Sequence, residues 1–326
     1  MKKQVINYMV RKIGFEFNPK SEIRNPKFFR LITFILFASI FFVSCEKDFV
    51  VKEQEQAARM TINCEFDNYS VFSVYVTQSS SLSGLATIIP ITNARVELYE
   101  NDSVLFVLPW VPTDSANTFG SYQSTFIPVS GRSYTVKVTH SVYGVATAKD
   151  FLPSTPEVST YLIDHYGNSQ EHNKVFFRLQ FHDNPSTVDY YRVNVYTVGT
   201  HWVYNSPTDS TIEDFGTWVR PEFISEVTDT IRDNGFFPLF SDKSFNGTDK
   251  ELKILFAGLD TSKTLTAKVV VRFEHVTPAH YLYYQTLERY HQSGQNDEPV
   301  HVFGNIDNGY GIFSGAAIYS QFLDVK

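Results

Sequence analysis

Met60-Thr61-Ile62-Asn63-Cys64-Glu65-Phe66 decides the fold class. Met60, Ile62, Cys64 and Phe66 alternate with Thr61, Asn63 and Glu65. Successive side chains of a strand point to opposite faces, so this period of two reads as a half-buried β-strand and not as a helix. It places Cys64 on the apolar face, as a small buried hydrophobe. The same alternation recurs on both sides of the chain's middle. Phe72, Val74 and Val76 carry it, and so do Ala94, Val96 and Leu98 against Arg95, Glu97 and Tyr99. Glu100-Asn101-Asp102-Ser103 is turn chemistry leading into Val104–Leu108, which makes a hairpin. Tyr134, Val136 and Val138 follow the turn Val129-Ser130-Gly131, and Val142–Phe151 closes the set. About seven short strands with turn residues between them predict a β-sandwich over residues 59–152, immunoglobulin-like or prealbumin-like.

Leu152-Pro153-Ser154-Thr155-Pro156 interrupts the pattern, because proline is excluded from central strands and stiffens a linker. The domain boundary falls at 153–157. A second β-rich domain is expected over 158–326. Val175, Phe177, Leu179 and Phe181 begin it, then Tyr191, Val193 and Val195. Residues 199–250 hold scattered Gly and Pro and read as long loops. Lys253–Leu259 and Leu265–Val276 are strands. Thr277-Pro278 reads as the N-cap and first position of one helix, at about 278–293. Tyr283, Leu287 and Tyr290 lie at helical spacing on it. A last strand carries Ala316, Ile318, Ser320 and Phe322. The fold class is therefore mostly β, a sandwich followed by a β-rich domain with one helix.

The N-terminal region has a different composition. Residues 1–44 hold eight basic and two acidic residues, and Leu31–Val43 (LITFILFASIFFV) is uncharged for 13 residues. That is too short to cross about 30 Å of hydrocarbon and fits the apolar region of a signal peptide. Translation begins at Met1 or at Met9. Phe42-Val43-Ser44-Cys45 resembles the lipobox of bacterial lipoproteins, with Phe42 where Leu is usual. The resemblance implies lipidation of Cys45 and cleavage before it. An uncleaved anchor and a non-lipidated signal peptide are the other readings. Residues 45–58 then form a tether, reaching roughly 45 Å if extended, or folded partly into a helical turn. Glu46-Lys47-Asp48 is similar to the acidic signal that sends Bacteroidota lipoproteins to the cell exterior. The localisation implied is the outer membrane, facing outward, with a periplasmic orientation as the alternative.

Composition narrows the function classes. The chain has 326 residues, 2 Cys, 29 Phe, 19 Tyr and a formal net charge of -7. Without residues 1–44 there remain 20 basic and 33 acidic residues, a net charge near -13. Nucleic acid is a poor partner for such a surface, and two cysteines build no disulfide framework. The chain contains no G-x-S-x-G, H-E-x-x-H, Walker A or post-strand G-x-G-x-x-G motif. The nine histidines (His140, His165, His172, His182, His201, His275, His280, His291, His301) are scattered and read as solvated or capping. Glu213-Asp214 and Asp297-Glu298 are paired acids on loops, and Asp242–Asp249 lacks EF-hand spacing. No metal or cofactor is expected, and a non-enzymatic protein is; a hydrolase is the remote alternative. Trp202, Tyr204, Trp218, Phe236 and Phe237 are the candidate ligand or partner contacts, on loops. The alternative places these rings in a core.

Val302-Phe303-Gly304-Asn305-Ile306-Asp307-Asn308-Gly309-Tyr310-Gly311-Ile312-Phe313-Ser314-Gly315 resembles the closing motif of a Bacteroidota lipoprotein family, domain of unknown function 4249. Gly131–Val138 resembles that family's G-x-x-Y-x-L-x-V strand. Tyr310 and Ser314 depart from its usual Leu and Gly. The resemblance implies a surface accessory of a TonB-dependent outer-membrane transporter. The aromatic loops of the second domain give the alternative, a glycan- or peptide-binding surface lipoprotein. Physically, Asn308-Gly309 reads as a positive-φ turn, Asn305 and Gly311 belong to the same loop, and Ile312 and Phe313 anchor it. A structural lock for the last strand and a ligand loop are both open.

Overall fold

A computed structural model describes residues 57–80, 88–101, 103–114, 119–165, 174–206, 209–224, 227, 229–233, 237–257, 264–293 and 300–324. Its strands in chain order are β1 (Met60–Asp67), β2 (Ser73–Gln78), β3 (Ile89–Pro90), β4 (Arg95–Glu100), β5 (Ser103–Leu108), β6 (Trp110–Pro112), β7 (Gly120–Gln123), β8 (Ser133–His140) and β9 (Gly144–Phe151). They continue as β10 (Val158–His165), β11 (Lys174–His182), β12 (Tyr190–Ser206), β13 (Asp209–Val219), β14 (Glu222–Phe223), β15 (Ile231–Asp233), β16 (Phe237–Ser241), β17 (Asp249–Ala257) and β18 (Thr264–Val276). Helix α1 (Pro278–Gln292) and β19 (Tyr310–Asp324) complete the order. The protein is mostly β with one helix among the described residues, in a sandwich-like layout of several sheets.

One sheet of eleven strands runs β15-β16-β12-β18-β19-β1-β2-β7-β6, with β13 paired to β12 and β3 to β2. Two four-stranded sheets, β5-β4-β8-β9 and β10-β11-β17-β14, accompany it. The expected alternation in β1 is met: Met60, Ile62, Cys64 and Phe66 are all buried. They join Val96, Leu98, Tyr134, Val136 and Val138 in a first core. Phe177, Leu179, Tyr191, Val193, Val195, Val269, Val271 and Phe273 form a second. Burial pushes the Cys64 thiol far above its ordinary value, which fits an inert core residue.

The last strand joins these cores. Its first half pairs in parallel with β1, from Thr61↔Tyr310 to Asp67↔Ala316. Its second half pairs antiparallel with β18, from Val276↔Ala316 to Lys268↔Asp324. Sequence analysis assigned this strand wholly to the second domain; the structure puts Phe313 and Ala317 in the first core and Leu323 in the second. A strand that changes partners leaves backbone groups open on one edge at each half, and side chains fill them. Asn305 Nδ2 donates to the Phe313 carbonyl at 2.7 Å, and the Phe313 amide donates to Asn305 Oδ1 at 2.9 Å. Asn68 Nδ2 donates to the Ile318 carbonyl at 3.0 Å, and the Ile318 amide donates to Asn68 Oδ1 at 2.6 Å. The Gly315 amide donates to Asp150 Oδ2 at 3.2 Å, and its carbonyl accepts from the Thr277 amide at 3.1 Å.

The closing motif is thus a structural lock, half turn and half strand. Only Asn308 of the Asn308-Gly309 pair has positive φ, at 60°. Gly309 is needed for space, since a Cβ there would lie 2.8 Å from the Met60 carbonyl oxygen. Gly311, at φ 103°, is the residue whose backbone only glycine adopts easily. Phe313 packs 4.8 Å from Phe66 and stacks on Phe72 at 6.4 Å, with Tyr134 edge-on to both Phe66 and Phe72.

Three expectations need correction. Residues 199–250 are not mainly loop: β12 and β13 form a long hairpin, from Val195↔Val219 to Ser206↔Asp209. Gly199 and Gly216 do not mark loops; they allow close approach inside strands. A Cβ on Gly199 would meet the Thr266 carbonyl oxygen at 1.9 Å, and one on Gly216 the Tyr196 hydroxyl at 1.9 Å. The buried face of α1 is His280, Tyr281 and Tyr284, while Tyr290 is 51% exposed. Its cap is as expected, with Thr277 Oγ1 accepting from the His280 amide at 3.4 Å.

Replacing Phe313 by Ala opens a cavity where both cores meet the same strand. Urea denaturation is expected to show a loss of about 3–5 kcal/mol. A second test concerns Asp150, whose carboxylate accepts from Thr277 Oγ1 at 2.6 Å. Burial raises its pKa to about 6 against those hydrogen bonds. The folded state therefore holds the proton more tightly than the unfolded chain does. The contribution to stability is present at low pH and is lost as pH rises from about 4 to about 6. Asp150→Asn is expected to flatten that decline in thermal melts taken across this window.

Candidate functional site

Strand alternation gives β12 and β18 two unlike faces. Tyr191, Val193, Val195, Val271 and Phe273 enter the second core. Arg192, Asn194, Arg272 and Glu274 therefore stand on the opposite face. Register brings them together, with Arg192 opposite Glu274 and Asn194 opposite Arg272. Glu65 and Asp67 of β1 border the same cavity of about 280 Å³, with Trp218 and Phe237 also in its lining.

Glu274 is the buried centre of this polar floor, 1% exposed. Its Oε2 lies 2.7 Å from both Nε and an Nη of Arg192, and Asn194 Nδ2 donates to Oε1 at 2.5 Å. Arg272 Nε stands further off, 3.9 Å from Oε1. A buried carboxylate needs this compensation, because desolvating a lone charge costs several kcal/mol. Glu65 joins through Arg192 at 3.8 Å and accepts from the Tyr284 hydroxyl at 2.5 Å. Helix α1 supplies that tyrosine and also His280, which is completely buried with Nδ1 3.2 Å from Ser314 Oγ. Burial, helped by the nearby Arg192 charge, holds His280 well below the usual imidazole range, so the ring is neutral. This corrects the expectation that every histidine is solvated or capping. Two buried polar atoms in this region, Asn194 Oδ1 and His280 Nε2, have no hydrogen-bond partner.

An apolar row runs beside the polar one. Trp218 pairs with Tyr196, Tyr196 with Val270, and Val270 with Phe322 across four strands. Trp218 is 43% and Phe322 63% exposed. The Trp218 ring lies 4.8 Å from Tyr196 and edge-on to Phe237 at 5.3 Å.

The aromatic residues singled out in the sequence thus separate. Trp218 and Phe237 meet at the cavity, on strands and not on loops. Trp202 is half-buried further along the hairpin, opposite Ile212. Tyr204 lies in β12, and nothing is stated of its side chain. Phe236 and Cys45 lie outside the described residues, as do Asp297 and Glu298. Glu213 and Asp214 are exposed on β13. Sequence reasoning missed Arg192, Asn194, Arg272 and Glu274. The one available signal was polar residues at i and i+2 inside otherwise apolar strands (RVN and RFE).

A second polar cluster gathers Asp183, Asp189 and Asp242, all buried, with one oxygen from each within 4.8 Å of the others. These are hard oxygen donors of the kind a divalent cation takes. Hydrogen bonds already engage them. Asp183 accepts from the Tyr191 hydroxyl at 2.7 Å and the Gly247 amide at 2.8 Å. Asp189 accepts from Thr187 Oγ1 at 2.9 Å and sits 3.0 Å from His275 Nε2. The Asp189 amide donates to Asp242 Oδ2 at 2.8 Å. Burial acts to raise Asp189, but the bonds from His275 and Thr187 outweigh it and hold the carboxyl below its usual range. Burial pushes Asp242 up, and the neighbouring carboxylates add to that. The cluster locks the loops at 183–189 and 242–248 together.

These features define a mostly β protein with a polar and aromatic cavity on the face of its largest sheet. The chain belongs to the family described as domain of unknown function DUF4249, whose profile matches residues 46–321. No curated protein matches the chain. Among solved structures the chain is similar to chitinase ChiA74 from Bacillus thuringiensis, at 9% identity and a TM-score of 0.15, covering 65% of this chain and 28% of that one. A likeness of that size carries no inference about fold or activity.

Arg192→Ala strands the buried Glu274 carboxylate and is expected to cost about 3–5 kcal/mol in urea denaturation. The double replacement Arg192→Met with Glu274→Leu removes the charge as well, and is expected to cost less than Arg192→Ala alone.

Proposed function

We propose that this protein is an outer-membrane lipoprotein, anchored through acylated Cys45 and facing the cell exterior, that acts as a non-enzymatic interaction subunit of a TonB-dependent transporter. The observation that carries the reading is where the family begins. The matched region starts at residue 46, directly after Cys45, and everything before it has the basic and then apolar composition of an export signal. Several acyl chains, at about 0.8 kcal/mol per buried CH2, hold firmly where one does not. Among the described residues, no helix is long and apolar enough to cross a membrane. The acidic mature chain is not drawn to anionic headgroups and stands off on its tether. Within the cavity the most buried carboxylate, Glu274, accepts from guanidinium and amide donors, which suits a structural role for that side chain.

A second reading is favoured by one specific observation: Trp218 and Phe237 line a cavity on an open sheet face. In that reading the lipoprotein captures a soluble ligand there, for delivery to the transporter.

Intact-mass analysis of native protein is expected to find a chain beginning at Cys45 with an acyl mass added. A chain beginning upstream, or one carrying no lipid, overturns the anchor. Cys45→Ala is expected to leave the signal uncut and to abolish cell-surface labelling. Co-purification of the wild type from detergent-solubilised outer membranes is expected to bring a TonB-dependent transporter with it; recovery as a free monomer overturns that partnership.

A further inference from the structure

The cavity on the large sheet has two features that its own ion pairs leave unexplained. Asn194 lines it with a buried Oδ1 that accepts no hydrogen bond, an arrangement that costs about 1–3 kcal/mol if nothing fills it. Directly across the strand pair stands Arg272. Its side chain is 30% exposed, and its nearest acidic atom is Glu274 Oε1 at 3.9 Å, beyond hydrogen-bond range. An unused acceptor and a guanidinium with donors to spare therefore face one another, beside the exposed indole of Trp218.

We infer that this face binds a neutral oligosaccharide, with Trp218 and Phe237 as the stacking wall and Asn194, Arg272, Glu65 and Asp67 as hydrogen-bonding groups. The inference rests on the second reading above and names its ligand class. Three observations select a sugar. First, the site mixes acceptors and donors. Sugar hydroxyls both give and take hydrogen bonds, so they satisfy Asn194 Oδ1 and the Arg272 guanidinium together. Second, three carboxylates (Glu65, Asp67, Glu274) stand against two guanidinium groups (Arg192, Arg272) in the lining. That balance disfavours an anionic polymer and gives a cation no unpaired buried charge to meet. Third, at Arg272 and Glu274 the floor strand β18 is paired on both sides, with β12 and with β19. A peptide has no free edge there on which to add as a strand, so the ligand meets side chains alone. The apolar row Trp218–Tyr196–Val270–Phe322 crosses four strands. At about 4.8 Å between strands it spans about 14 Å, so a short oligosaccharide covers it and a single ring does not.

The test uses the full chain in detergent and titrates it calorimetrically with hexasaccharides of β-1,4-glucose, α-1,4-glucose, β-1,4-xylose and β-1,4-mannose, and with hexagalacturonate. At least one neutral probe is expected to bind saturably and to quench tryptophan fluorescence. Trp218→Ala is expected to weaken that binding by about tenfold or more, as loss of an aromatic anchor does. Arg272→Gln, a change at a partly exposed position, is expected to weaken it by about fivefold or more and serves if Trp218→Ala fails to fold. Trp202→Ala, away from the cavity, is expected to leave binding unchanged. No binding by any neutral probe overturns the inference. So does binding of hexagalacturonate alone, or neutral binding that both site variants leave intact. The mass of the mature N-terminus and the transporter co-purification report on the anchor and partner readings separately, since neither depends on Trp218 or Arg272.

Discussion

The parallel pairing of β1 with β19 is the constraint on which the rest of the fold depends. It closes a loop of some 250 positions, in register from Thr61↔Tyr310 to Asp67↔Ala316. Closure over such a distance costs chain entropy with little local return. The return comes from packing, because the pairing seats Phe313 against Phe66 and Phe72. It also sets β19 beside β18, so that one strand lends side chains to both cores. A slip of one residue would turn Phe313 out of the first core and Leu323 out of the second. The two asparagine clamps, Asn305 at Phe313 and Asn68 at Ile318, oppose that slip by fixing backbone atoms at both ends of the changeover.

The same register creates the polar cavity. Because β12, β18, β19 and β1 are neighbours in one sheet, the side of β12 that does not enter the second core is continuous with the outer side of β1. Helix α1 covers part of that side through Tyr281 and Tyr284, and leaves Arg272, Trp218 and Phe322 partly in the open. A covered polar floor beside a partly uncovered apolar row is what a sheet produces when one short helix lies on only part of it. The buried Glu274 is tolerable because register supplies Arg192 opposite it and Asn194 beside it, so the charge is compensated before it is desolvated.

Much of this was legible along the chain. The period of two in Met60–Phe66 and Tyr134–Val138, the turn at Val129-Ser130-Gly131 and the cap at Thr277-Pro278 are local signals, and the elements they predict are present. Where local reading failed, the reason was tertiary. Gly199 and Gly216 look like loop residues, yet each sits in a strand because a carbonyl or a tyrosine hydroxyl occupies the place of its Cβ. Tyr290 continues a helical stripe in sequence but faces solvent, because α1 turns His280, Tyr281 and Tyr284 inward. Trp202 and Trp218 look like one aromatic region and lie apart along a hairpin.

The amino-acid sequence by itself determined the strand-rich class, the helix with its cap, the buried Cys64 and the membership of the closing motif in its family. Each of these is written in the spacing of neighbouring residues, which a strand or helix period converts directly into a face. Only the tertiary structure decided that the last strand serves two cores, that Arg192 meets Glu274, and that Trp218 and Phe237 flank their network. These are relations between residues tens to hundreds of positions apart. Sheet register sets them, and register follows from the total packing of both faces rather than from any local pattern.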